Sequence, residues 1–412
     1  MSAPLTGYRV LDMSRILAGP WASQVLADLG AEVIKVERPG AGDDTRHWGP
    51  PYLKDAQGND TSESAYFMCA NRGKKSIAVD FGCADGQALI NKLAAVSDVF
   101  IENYKVGALK KYHLDYDTLQ SVNPRLVYCS ITGFGQYGPY ANRPGYDFMI
   151  QGMGGLMSVT GNPGTSPGGG PTKVGVAVTD IFAGLYAANG IQAALLERVT
   201  SGVGKHIDLA LFDTCAAILA NQATNYLVGG QVAEPLGNTH PNIVPYQSFA
   251  TSDSHIIIAV GNDSQFRALC HVVGKLWLAD DARYESNSER VSNRTQLCHE
   301  LAEVIAQENC EFWLHALESK GIPCGPINTI DKVFNDPQIK ARDMLVSVKH
   351  ALAGDVLLPA NPIKFTDAEA RVPAAPPVLG ESTIDVLKTV AGCSQAEISR
   401  LIEKGVVSDY RS

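Results

Sequence analysis

"YRVLDMSRILAGPWASQVLADLGAEVIKVERPG", residues 8–40, holds two short apolar runs separated by a segment with helical periodicity. "YRVLDMS" (8–14) reads as a strand, "AGPWASQVLADLG" (18–30) as a helix stopped by Gly30, and "AEVIKVERPG" (31–40) as a second strand closed by Pro-Gly. That is a βαβ unit, and the pattern repeats. "KSIAVDF" (75–81), "DVFIENY" (98–104) and "RLVYCSITGFG" (125–135) read as strands, with helices over "CADGQALINKLAAVS" (83–97) and "LDYDTLQSVNP" (114–124) between them. Elements alternating at these lengths predict an α/β fold, a parallel, doubly wound, Rossmann-like sheet.

Further along, residues 133–170 loosen into Gly- and Pro-rich sequence, and "GNPGTSPGGGP" (161–171) is a loop by composition. "VGVAVTD" (174–180) predicts a strand running into a helix that ends near Glu197, and 201–230 predicts another strand and one long apolar helix. Residues 239–325, with two strands around a turn and then an amphipathic helix, predict a smaller α+β domain. A strand-rich stretch follows (336–366), then an extended "RVPAAPPVLGEST" (371–383) and a terminal helix in "AEISRLIEKGVV" (396–407). The expected division is 1–225, 226–329 and 330–412.

The 412-residue chain is too long for a single core of usual size, and 45% hydrophobic with 19% charged residues fits a folded globular protein. Its net charge of -9, with basic residues scattered, argues against nucleic acid as a partner and for small molecules. Nine cysteines without a C-x-x-C pair point to reduced thiols and to no zinc site. No basic-then-apolar leader is visible at the start, and no apolar run has the roughly 18 residues that span a bilayer. A cytoplasmic protein, without membrane association, is the expectation.

"GFGQYG" (133–138) satisfies G-x-G-x-x-G, but Pro139, Pro144 and Gly145 follow where a phosphate-binding helix should open, so a tight glycine turn is the better reading. Walker, G-x-S-x-G and H-E-x-x-H patterns are all missing. Arg15 and Arg38 follow strand ends, where an α/β sheet lines its crevice, and suit a phosphorylated ligand; solvated surface charge is the plainer alternative. Asp180 reads locally as a helix N-cap. It also stands at the carboxyl end of a predicted strand with the small residues Ala183 and Gly184 after it, and a carboxylate held ionised by helix amides could act as a nucleophile.

Seven blocks in order carry a resemblance over nearly the whole chain: "RVLDMSRILAGPWASQVLADLGAEVIKVERPGAGDDTR", "NRGKKSIAVD", "DVFIENYKVGALKK", "SITGFGQYGPYANRPGYDFMIQGMGGLMSVTG", "VAVTDIFAGLYAANGIQAALLER", "GKHIDLALFD" and "GIPCGPI". With these the sequence resembles the class III CoA-transferases of the formyl-CoA and carnitine CoA-transferase type. The resemblance implies Asp180 as the nucleophile. It implies coenzyme A, a substrate and not a resident cofactor, lying on the Rossmann-like domain against Arg15, Ile16, Ala18, Arg38, Lys74, Asn103, Tyr104 and Lys111. It implies acyl-CoA and carboxylic acid as partners, no metal, and an interlocked, ring-like homodimer whose C-terminal segment returns to the large domain.

Two departures refine this reading. The related α-methylacyl-CoA racemases carry a His-Asp pair where this chain has Gly145, Tyr146 and Asp147, and a phenol is too weak a base to replace that histidine. Racemisation, and binding of acyl-CoA without catalysis, are therefore the alternatives to transfer. In place of the glycine run of formyl-CoA transferases stands "GNDSQF" (261–266), whose Asn262 and Gln265 are candidate substrate contacts, as in the dicarboxylate branch. Succinyl-CoA or another dicarboxyl-CoA is the expected donor. Arg46, His47, Arg72 and Arg143 are all left open as anchors for the acceptor carboxylate.

Overall fold

A computed structural model describes residues 3–366 and 373–410. Arg371 and Val372, at the start of the stretch expected to be extended, lie outside the described residues. The chain divides into two compact units. The first comprises residues 1–156, 174–224 and 338–412; the second comprises 157–173 and 225–337.

In the first unit, β1 (Arg9–Asp12), β2 (Glu32–Glu37), β3 (Lys74–Val79), β4 (Val99–Glu102), β5 (Val127–Thr132) and β6 (His206–Ala210) are parallel. Their order is β3-β2-β1-β4-β5-β6, the arrangement of dinucleotide-binding folds. A seventh strand, β7 (Val407–Ser408), closes the β3 edge in the antiparallel sense. The central strands β4 (VFIE) and β5 (VYCSIT) are buried along their whole length because both faces are covered, whereas β6 (HIDLA) is partly exposed. Leu11, Ile34, Ile77, Phe100 and Tyr128 point to one face, under α1 (Ala84–Ala95), α2 (Tyr116–Val122), α3 (Thr383–Thr389) and α4 (Gln395–Glu403). Val10, Val33, Val99, Ile101 and Val127 point to the other, under α5 (Ala18–Asp28), α6 (Val178–Ser201) and α7 (Leu211–Ile218).

Two expectations fail locally. "VGVAVTD" is not a strand: the place beside β5 is taken by β6, and the segment stays irregular until α6 opens at Val178. Its Val174 N–H donates instead to Gln151 Oε1 at 2.9 Å. Within the Gly- and Pro-rich stretch 133–170 the short helix α8 (Asp147–Met153) forms, while 161–171 is loop as expected. The long helix after β6 is two helices, α7 and Ala220–Gly229, with Ala220 at φ 46 just past the break.

The second unit holds a three-stranded antiparallel sheet of Cys324–Pro326, His255–Ala259 and Tyr246–Ala250. Phe249, Ile256, Ile258, Leu269, Leu301 and Trp313 form its core. Among the described residues no helix is long and apolar enough to cross a membrane, and no group of His, Cys, Asp and Glu is placed to hold a metal ion.

Candidate active site

The sheet positions the site. β1 and β4 are neighbours whose chains leave in opposite directions, so a crevice opens outside their carboxyl ends. A cavity of about 320 Å³ occupies that place, lined by Arg15, Ile16 and Ala18 after β1, Asn103 and Tyr104 after β4, Arg143 to Tyr146, and Asp180. A second cavity of about 350 Å³ opens between the ends of β1, β2 and β3, with Arg15, Arg38, Tyr104 and Tyr112 in its wall.

The loop after β1 is held from beneath by buried charge. Ile16 adopts φ +71, a conformation that costs a β-branched residue energy. Its N–H donates to both Asp43 oxygens at 3.2 Å, and Asp43 also accepts from Thr45 N and from Lys35 Nζ. Lys35 Nζ donates further to the Ser14 carbonyl at 2.9 Å. Burial would raise the Asp43 carboxyl, yet the Lys35 ammonium and the Thr45 donors hold it below its ordinary value. Asn103 grips the next peptide from β4, accepting from Arg15 N at 3.0 Å and donating to the Arg15 carbonyl at 2.7 Å. Neither Lys35 nor Asp43 stands out in sequence, since a lysine inside a strand and an aspartate in a turn are common; only their shared burial marks them.

Asp180 lies at the third position of α6, not at the N-cap, which is Ala177. The helix amides are used by another residue: Asp147 Oδ1 accepts from Thr179 N at 2.8 Å and from Asp180 N at 3.4 Å. Its Oδ2 accepts from Gln151 Nε2 at 2.6 Å, and Gln151 in turn holds Val174. Among the described residues no hydrogen bond reaches the Asp180 carboxylate, which is 9% exposed and faces the cavity. Burial, and then the like charge of Asp147, push its carboxyl up to about 7. The expectation of a carboxylate kept firmly ionised by helix amides is therefore corrected: those donors are taken, and the group sits poised near neutrality. Tyr66, unmarked in sequence, senses the same pair; burial first and then Asp180 raise its phenol to about 12.

The remaining expected residues are dispersed. Lys111 is exposed, with its ammonium 4.5 Å from the Tyr112 ring centre. Lys74 is buried at the amino end of β3, donating to Asp12, the Pro20 carbonyl and Asn71, and it belongs to neither cavity wall. Burial pushes it down to about 8 against the pull of Asp12. In the second unit, Asn262 Oδ1 caps its helix by accepting from Gln265 N at 2.9 Å, and Gln265 Oε1 accepts from Gly261 N at 2.8 Å.

A Rossmann-type sheet with a buried carboxylate at its switch-point crevice, free of hydrogen bonds from the described residues, defines a doubly wound α/β protein that binds its ligand at the strand ends. A family model described as CoA-transferase family III matches residues 5–383, and the chain belongs to that family. It is accordingly a CoA-transferase. It is 48% identical to succinate–glutarate CoA-transferase of Agrobacterium fabrum over 93% of this chain and 95% of that one. With succinyl-CoA:glutarate CoA-transferase of Homo sapiens the identity is 41%, over 99% and 91%. Among solved structures, a CAIB/BAIF family protein from Brucella suis superposes with a TM-score of 0.82 at 48% identity, covering 95% of this chain and 100% of that one.

Proposed function

We propose that the protein moves coenzyme A reversibly from succinyl-CoA, or another dicarboxyl-CoA, to a dicarboxylic acid of the glutarate type, with Asp180 as the covalent nucleophile. One observation carries this reading: a carboxylate buried in the switch-point cavity, with no hydrogen bond from the described residues and a proton affinity raised to about 7. Raised basicity strengthens the attack of the ionised form.

An Asp180 oxygen attacks the thioester carbonyl carbon and the CoA thiolate leaves, giving a mixed anhydride. The thiolate then attacks the Asp180 carbonyl carbon, releasing succinate and leaving an aspartyl-CoA thioester. The acceptor carboxylate attacks the same carbon and expels the thiolate, and the thiolate takes the acceptor's acyl group, freeing Asp180. Protons balance throughout. The thioester's energy survives because the anhydride forms away from water and beside the thiolate, where effective molarities of about 10⁵ M are attainable.

In this reading CoA lies along the crevice against Arg15, Ile16, Ala18, Asn103 and Tyr104, with Arg38 and Lys111 at its nucleotide end. Lys74 would act from below, through Asp12 and the loop after β1. Asn262 and Gln265 would offer substrate the amide N–H groups that their own turn does not use. The proposal extends to an interlocked homodimer, to the domain division expected from sequence, and to a cytoplasmic location. Incubation with succinyl-CoA and hydroxylamine should place a hydroxamate on the peptide containing Asp180, detected by mass spectrometry and lost in Asp180→Asn. An unmodified peptide in an active enzyme would sink the covalent route.

A further inference from the structure

Four side chains were open as anchors for an acceptor carboxylate, and the structure separates them. Arg46 is buried and committed: its guanidinium bonds both Glu37 oxygens at 2.8 Å, Glu63 at 2.7 Å and the Pro377 carbonyl at 3.0 Å. Arg72 is likewise consumed by both oxygens of Asp28 and by the Pro359 carbonyl. His47 reaches the Ala41 carbonyl at 3.0 Å and lies in neither cavity wall. Arg143 differs on each count. It lines the same cavity as Asp180, and among the described residues no carboxylate pairs with it. Its contacts are soft: the Tyr140 ring centre at 4.6 Å, the Phe134 ring centre at 5.3 Å, and the Met153 sulfur at 3.8 Å from Nη2.

The chain around Arg143 is fixed in place. Gly145 packs back to back on Gly133, where a Cβ on either would come within 2.8 Å of the other's backbone. Two residues on, Asp147 holds the amides of Thr179 and Asp180. Aromatic faces beside a guanidinium hold its plane while leaving its N–H edge available, which is the geometry of bidentate carboxylate recognition. Two other cations line the cavity. Arg15 is already paired with Asp44 at 2.7 Å. Lys105 follows Tyr104 on the β4 side of the crevice, the side the proposed function gives to CoA, and offers a point charge instead of a planar fork.

We propose that Arg143 binds the carboxylate that does not react, the distal one of a dicarboxylic acid or dicarboxyl-CoA, and so sets the preference for dicarboxylates over monocarboxylates. This rests on the proposed function, with Asp180 taking the reacting end. A monocarboxylate of equal length presents a methyl group to an unpaired charge, which is the unfavourable half of the discrimination.

The test compares glutarate with valerate as acceptors from succinyl-CoA; where valerate turnover is too slow to read, its inhibition constant against glutarate replaces it. Arg143→Gln is expected to raise the glutarate KM and lower its kcat/KM by about 10- to 100-fold. Valerate should change by less than about threefold, Arg143→Lys should recover part of the glutarate loss, and Lys105→Gln should leave the ratio of the two acceptors unchanged. Equal losses with both acceptors, a glutarate KM unchanged in Arg143→Gln, or the same selectivity change in Lys105→Gln overturns the role of Arg143. A wild-type enzyme that turns over no dicarboxylate overturns the proposed function as well, and Asp180→Asn retaining full activity overturns the nucleophile while leaving the acceptor ratio of Arg143 variants readable on its own.

Discussion

Two carboxylates meet at the first turn of α6, and they do different work. Asp147 takes the helix amides of Thr179 and Asp180, which leaves the Asp180 carboxylate bare and adds a negative charge beside it. Because protonation would disable Asp180 as the proposed nucleophile, kcat/KM should fall about tenfold per pH unit below pH 7. Asp147→Asn keeps an oxygen for the helix amides and removes the charge, so the acid limb should move to lower pH. Asp147→Ala removes the oxygen too and should lower the rate at every pH; pH–rate profiles of the three proteins distinguish these effects. Stability has its own signature. The folded carboxyl binds its proton more tightly than the unfolded one, ordinarily near 3.8, so the native state is penalised progressively from about pH 4 to pH 7. Asp180→Asn should therefore match wild type in urea melts at pH 4 and exceed it at pH 8, by a few kcal/mol at most. At this scale the sequence yields Asp180 through the blocks around it. It does not yield Asp147 as the residue that caps α6, since 32 residues of chain separate this acceptor from Thr179 and only folding joins them.

Among elements, the approach of α5 to α6 is the tightest determinant of the site, because α5 begins at Ala18 and α6 carries Asp180. A Cβ on Gly184 would meet the Ala18 carbonyl at 2.7 Å and Trp21 Cβ at 2.9 Å, whereas one on Gly190 of the same helix would meet only Ile207, at 3.6 Å. Gly184→Ala should cost about 1–3 kcal/mol and depress kcat by parting the two helices. Gly190→Ala should be neutral or stabilising by up to about 1 kcal/mol, as alanine favours a helix. Thermal melts and steady-state rates on the pair would check both. The strands β1 to β5 were legible from apolar period and punctuation because each is buried on both faces. The strand expected at 174–180 has the right composition and no place in the sheet: β6, arriving from residues 206–210, already pairs with β5. Edge occupancy is a tertiary property, and residue type cannot report it.

For the whole molecule, the C-terminal segment is part of the first unit's core. β7 covers the β3 edge, Asp80 N donates to the Val406 carbonyl, and Thr383 Oγ1 accepts from Ala78 N at 3.0 Å. Val386, Leu387, Ile398, Leu401 and Val407 complete one apolar face. Ending the chain at Pro373 should uncover that face and the edge of β3, giving a protein that aggregates or loses cooperative unfolding, assayed by solubility and calorimetry. The sequence by itself determined the βαβ alternation and the family, and singled out Asp180 as the candidate nucleophile, since periodicity and ordered motifs are local and survive in one dimension. Tertiary structure alone decided that Lys74 is a buried strut beneath the site, that Lys35 and Asp43 hold a strained Ile16, and that of the three candidate arginines Arg46 and Arg72 are spent on carboxylates while Arg143 has no carboxylate partner among the described residues. Whether a charge is spent on a neighbour or left for a ligand depends on which distant residues burial places beside it.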